Sequence, residues 1–109
     1  MPPLELDCRT LHSQREAGAD ILLVDCREPE EWAIVKIPGA TLVPMSEMAD
    51  RVAELVPYRD RPIVVHCHHG GRSLRVVDWL RGQGFLQAQS LAGGIDAWAA
   101  EIDPSLPRY

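Results

Sequence analysis

The sequence predicts an α/β protein built on a parallel sheet. Ile21-Leu22-Leu23-Val24 and Ile63-Val64-Val65 are short apolar runs without polar alternation, the mark of strands covered on both faces. Amphipathic stretches separate and follow these runs, so strands and helices alternate along the chain. The 109 residues suffice for one hydrophobic core, and 46% hydrophobic with 25% charged residues is ordinary for a soluble globular protein. Residues 1–109 are therefore read as a single domain, with an extended tail at 103–109.

The elements follow in chain order. Leu4-Glu5-Leu6 reads as a short first strand. Asp7 is placed to cap a helix over about Cys8 to Ala17, which Gly18 stops. Leu11 is its main apolar contact, and Cys8 reads as an inert thiol. The Ile21–Val24 strand runs into Asp25-Cys26-Arg27. Pro29 then suits the first turn of a short helix from Glu30 to about Ile34. Thr41-Leu42-Val43 is a third strand, stopped by Pro44. Ser46 is expected to cap a helix from Glu47 to about Val56, with Met48, Val52, Leu55 and Val56 as its core face. Pro62 bounds the central strand. Leu74, Val76, Val77 and Leu80 predict a helix ending near Gly82 or Gly84. Ala88-Gln89-Ser90-Leu91 is the last strand. Gly93-Gly94 turns the chain into a helix with Ile95, Trp98, Ala99 and Ile102 facing the core. Trp79 is expected to pack.

Function concentrates in Pro62-Ile63-Val64-Val65-His66-Cys67-His68-His69-Gly70-Gly71-Arg72-Ser73-Leu74-Arg75. Strand, tight glycine loop and helix together aim loop amides and a helix N-terminus at one point, which attracts anions. Cys67 heads that loop, where the same field favours thiolate over thiol. The chain carries a formal net charge of −5, yet no Asp or Glu occurs between Arg61 and Val77. That window holds Arg61, Arg72, Arg75 and three of the four histidines. An acidic protein with one such window is suited to a small anion and poorly suited to nucleic acid.

Cys67-His68-His69-Gly70-Gly71-Arg72-Ser73 resembles the active-site loop of rhodanese-family sulfurtransferases, in which a cysteine opens a six-residue loop closed by arginine. Asp25-Cys26-Arg27-Glu28-Pro29-Glu30-Glu31-Trp32 with Ile37-Pro38-Gly39-Ala40 resembles a second signature of that family, and Leu91-Ala92-Gly93-Gly94-Ile95-Asp96-Ala97-Trp98 a third. The family often has Gly-His before Ile-Pro-Gly-Ala, where this chain has Val35-Lys36. The resemblance implies a rhodanese-like three-layer domain, a five-stranded parallel sheet in the order 1-5-4-2-3 with helices on both faces. In that order the strands ending at Asp25 and Cys67 are neighbours.

The resemblance also implies the chemistry. Cys67 is expected to take the outer sulfur of a donor such as thiosulfate and to hold it as a persulfide. A thiophilic acceptor, cyanide or a thiol, then removes it. His68, His69, Gly70, Gly71, Arg72 and Ser73 form the anion-binding loop, with their backbone N–H groups as the chief stabilisers. Asp25, Arg27, Glu28, Lys36 and Arg75 are expected in support, with Arg72 pairing with Asp25 or Glu28. His68 and His69 are weighed first as loop-lining groups. Cys26 is expected to face away from the site, as a small core hydrophobe. No cofactor and no metal is expected.

Several readings compete. A cysteine-dependent phosphatase has five residues between Cys and Arg; four separate Cys67 from Arg72, and the narrower cradle favours sulfur. Contiguous His66, Cys67, His68 and His69 lack the spaced ligand pairs of a metal site. A non-enzymatic regulatory or binding module of the same family is the alternative from another class. The Asp103-Pro104-Ser105-Leu106-Pro107-Arg108-Tyr109 ending resembles rhodanese domains fused to ubiquitin-activating-like enzymes, which implies sulfur relay to a carrier protein in thiamine or molybdopterin synthesis. A tail that packs on the sheet edge is the simpler reading. Three cysteines, no apolar run of spanning length and a Met-Pro-Pro start unlike a signal peptide set a cytoplasmic expectation without a membrane.

Overall fold

The computed structural model describes residues 1–109. Five strands, β1 (Glu5–Leu6), β2 (Leu22–Asp25), β3 (Thr41–Leu42), β4 (Ile63–His66) and β5 (Ala88–Leu91), form one parallel sheet in the order β1-β5-β4-β2-β3. The helices are α1 (Cys8–Glu16), α2 (Pro29–Ile34), α3 (Met48–Arg51), α4 (Gly71–Gly82) and α5 (Gly94–Glu101). No helix is long and apolar enough to cross a membrane.

Side-chain alternation along the strands splits the core in two. Val24, Ile63, Val65 and Ala88 point to one face and pack with Leu55, Val76, Val77, Leu80 and Phe85. Leu23, Val64 and Leu91 point to the other and pack with Leu11, Ile37, Ile95 and Trp98. Central β4 is buried at every position, which is why its sequence has no polar alternation. Asp7 caps α1 as expected, accepting the Thr10 N–H at 2.7 Å. Trp79 packs, partly buried, against the first cluster.

One element departs from its expectation. In place of one α-helix from Glu47 to Val56, the chain makes a 3₁₀ turn (Met45–Glu47), the four-residue α3 and a second 3₁₀ stretch (Val52–Tyr58). Pro57 lies inside that last stretch and has no N–H to donate to an α-helical ladder. At three residues per turn Val52 and Leu55 share a side, and Val56 turns outward to 44% exposure. Ser46 caps nothing; its hydroxyl donates to Glu28 Oε1 at 2.7 Å.

Candidate active site

The Cys67 sulfur lies at the carboxyl end of β4, where ligands bind in open parallel sheets. Two backbone donors aim at it: the Gly70 N–H at 3.1 Å and the Ser73 N–H at 3.4 Å. The Ser73 hydroxyl stands 3.5 Å away. That hydroxyl is itself fixed, 2.7 Å from Ser90 Oγ on β5 and 3.2 Å from the Gly70 carbonyl to which it donates. Gly70 adopts φ 110°, a conformation that side chains resist, and so folds its N–H back onto the sulfur.

A further influence comes from across the strands. The neighbouring Cys26 thiol does most to hold Cys67 down, at about 4 against an ordinary 9.0. Burial opposes the shift; the Ser73 and Gly70 hydrogen bonds reinforce it. Cys67 is therefore a thiolate at neutral pH, only 1% exposed at the base of its loop. Cys26 answers in the opposite sense, its thiol pushed up by the neighbouring Cys67 and by burial.

This corrects the expectation that Cys26 faces away. Asp25 and Cys26 do alternate. In register, however, Asp25 pairs with His66, so Cys67 falls on the face of Cys26. Asp25, Arg27 and His66 take the opposite side, fully buried. There the Arg27 guanidinium donates to Asp25 through Nε at 2.9 Å and Nη2 at 2.6 Å, and to the Val35 carbonyl at 2.6 Å. Asp25 and Arg27 thus brace the loops and do not touch the cysteine. His66 Nε2 is 3.6 Å from Asp25 Oδ2; burial holds its imidazole below the usual value, against the pull of that carboxylate.

Arg72 closes the loop with a different partner than expected. Its two terminal nitrogens donate to Glu31 at 2.7 and 2.9 Å, a bidentate pair that ties α4 to α2. Neither Asp25 nor Glu28 is its partner: Asp25 belongs to Arg27, and Glu28 caps α2 and accepts from Ser46. The Arg72 guanidinium, with Tyr109 and the Glu28 backbone in support, lowers Glu31 to about 2 against the opposing effect of burial.

The remaining expected residues have no contact with the Cys67 sulfur. His68 is stacked between His69 and Tyr109, each 3.9 Å away by ring centroid. His69 is exposed, with Nδ1 3.8 Å from Asp96. Gly71 begins α4. Lys36 lies over the Trp32 ring at 4.9 Å, and exposed Arg75 stands on α4 beside Met48 and Trp79.

Comparison with known proteins matches residues 8–101 to the rhodanese-like domain. The chain belongs to that family. A sulfurtransferase of Allochromatium vinosum is 38% identical over 87% of each chain. A probable adenylyltransferase/sulfurtransferase, MoeZ, of Mycobacterium tuberculosis is 37% identical over 93% of this chain, which spans 26% of that protein's length. A crystal structure of a rhodanese-like domain protein from Staphylococcus aureus superposes with a TM-score of 0.83 at 27% identity, covering 98% of this chain and 99% of the other.

In this rhodanese-like domain several supporting residues escaped the sequence reading. The carbonyls of Cys67 and His68 accept the Ile95 and Asp96 N–H groups at 2.9 and 3.1 Å, so α5 holds the loop from behind. Tyr109 accepts from Arg27 Nη1 at 3.0 Å and donates to Glu31 Oε2 at 2.7 Å, which links the buried Arg27 cluster to the Arg72 pair. Arg108 pairs with Asp96 at 2.9 Å. The tail therefore lies over the loop, not on the sheet edge. Its prolines signalled an extended course; only tertiary packing decides where it docks.

Proposed function

We propose that this domain is a sulfurtransferase whose Cys67 carries the sulfur as a persulfide. The observation that carries the reading is a buried cysteine sulfur that accepts the Gly70 and Ser73 N–H groups at 3.1 and 3.4 Å, with the neighbouring Cys26 thiol further lowering its pKa. Relatives named sulfurtransferase support sulfur transfer as the general activity.

With thiosulfate as donor, the Cys67 thiolate attacks the outer sulfur. The sulfur–sulfur bond of the donor breaks, and its electron pair leaves with sulfite. Cys67 now bears a terminal sulfur carrying the negative charge. An acceptor such as cyanide or a thiol attacks that outer sulfur, and the pair of the breaking bond returns to Cys67 as thiolate. Charge stays within the loop in both halves, so donors fixed before the reaction stabilise it without reorganisation. Arg72, locked to Glu31, keeps the loop closed, and its cation with those of Arg75 and Lys36 favours an anionic donor. His68, His69, Gly70, Gly71 and Ser73 shape the cradle; Asp25, Arg27 and Glu28 brace it.

The natural acceptor in this reading is a thiol or a protein, the latter supported by similarity to adenylyltransferase/sulfurtransferase proteins. A reducing cytoplasm suits its three free cysteines.

Mass spectrometry tests the proposal. Thiosulfate should add one sulfur atom at Cys67, and cyanide should remove it as thiocyanate. Cys67→Ser should lose both. Full thiocyanate turnover by that variant overturns the assignment, and partner binding that survives without any sulfur uptake favours the regulatory module.

A further inference from the structure

A second thiol stands beside the first on the same buried face. Cys26 follows Asp25, Cys67 follows His66, and those two residues are paired between β2 and β4. The Cys26 N–H donates to the His66 carbonyl at 3.0 Å, so the ladder continues to the two cysteines. Both side chains enter one core cluster, Cys26 wholly buried and Cys67 1% exposed. Bridged cysteines have Cα atoms about 4.4–6.8 Å apart, and neighbouring strands lie about 4.8 Å apart. The backbone already sets the separation that a bond between them needs.

We propose that Cys26 is a resolving thiol, which discharges the Cys67 persulfide as hydrogen sulfide and closes a Cys26–Cys67 disulfide. The inference rests on the reading of Cys67 as a persulfide carrier. Cys26 Sγ attacks the inner sulfur, Cys67 Sγ. A bond forms between the two cysteine sulfurs and the persulfide bond breaks. Its electron pair leaves with the outer sulfur, which also takes the Cys26 proton. The sulfane sulfur is reduced by two electrons, one from each cysteine, so no outside oxidant enters. A thiol reductant later restores the pair.

Two nucleophiles then compete for different atoms of one intermediate. An acceptor takes the outer sulfur, while Cys26 attacks the inner one from within the core. With acceptor abundant, sulfur is transferred. With acceptor scarce, the domain empties itself as sulfide and accepts no more sulfur until reduced. Cys8 has no part in this, because it lies in the cluster on the opposite face.

The test loads the purified protein with polysulfide, which persulfidates thiolates without catalysis, removes the reagent, and holds the protein free of thiols. Sulfide should appear as the mass falls from one sulfur heavier to two hydrogens lighter, with the new bond mapping to Cys26 and Cys67. Cys26→Ser keeps a hydrogen-bond donor but no resolving sulfur, so it should lose sulfide release and retain the persulfide. Wild-type persulfide as long-lived as that of Cys26→Ser overturns the proposal, as does a disulfide mapping to Cys8. Should Cys26→Ser fail to fold, the wild-type sulfide yield and peptide map decide alone. A parallel loading with thiosulfate separates the two readings. Uptake from polysulfide but not thiosulfate counts against sulfur transfer from thiosulfate while the resolving step is still tested. Uptake from neither overturns both.

Discussion

The tips of β2 and β4 carry charge on both faces of the sheet, and the two faces treat it differently. On one, Asp25 and Arg27 are fully buried and joined by several hydrogen bonds. On the other, the Cys67 thiolate has no cation in contact; its charge rests on backbone N–H groups and a neighbouring thiol. A matched ion pair has its bonding capacity filled and serves as a brace. A thiolate steadied by dipoles keeps its nucleophilic electron pair, as the sulfur carrier proposed above must. The same strand ends thus supply a scaffold on one side and reactivity on the other.

Breaking the brace should have the largest effect. Arg27→Ala leaves the Asp25 carboxylate buried without its partner, which costs about 3–5 kcal/mol and should lower the midpoint of urea unfolding sharply. An unchanged midpoint would mean that the pair is not the scaffold.

Removing a donor from the other face should change chemistry more than stability. Cys26→Val removes the thiol that contributes most to lowering Cys67, and polar contacts to charged groups are worth about 1.5–3 kcal/mol, or roughly one to two pKa units. The ultraviolet thiolate titration of Cys67 should move upward by that amount. In wild type, sulfur uptake should hold through neutrality and fall only as pH drops through about 4. The sign for stability is the same. A depressed folded pKa contributes fully above the unfolded value near 9.0 and is lost as pH falls toward about 4. A Cys26→Val titration that overlays wild type would discount the thiol–thiolate contact.

Arg72→Ala should slow sulfur uptake about tenfold, through loss of loop closure and of a cation, with the fold retained. Arg72→Lys should recover only part, since lysine lacks the planar fork. Wild-type rates for Arg72→Ala in a single-turnover assay would put closure elsewhere. The smallest effect belongs to Lys36, whose ammonium rests on Trp32: Lys36→Ala should change uptake by less than about threefold, in keeping with an exposed contact worth about 0.5 kcal/mol. A larger loss would give this lysine a direct role with the donor.

How much of this was legible depended on how local each cause is. Unbroken apolar runs, the Asp7 cap and the glycine stops act within a few residues, and they located β2, β4, α1, α4 and α5. The sheet order came from resemblance, because no local signal tells which strands are neighbours. Arg72 had four acidic residues to choose among in the Asp25–Glu31 stretch: Asp25, Glu28, Glu30 and Glu31. Choosing Glu31 requires the orientation of a one-and-a-half-turn helix, which packing decides. The Cys26 side needed the parity of two strands and the register between them, while alternation along one strand gives only half of that. Tyr109 is remote in sequence from everything it touches, so its link between Arg27 and Glu31 left no sequence pattern.

Gly94 limits what this chain can become. A Cβ there would sit 2.5 Å from the carbonyl oxygens of both Cys67 and His68, backbone atoms that cannot swing aside, and its φ of 60° is itself unfavourable to other residues. In a saturation library scored for sulfur uptake, this codon should tolerate no replacement, although its residue touches no sulfur. Exposed His69 beside the cysteine should accept many. Heritable constraint in this chain tracks the room left around the loop backbone more closely than nearness to the nucleophile along the gene.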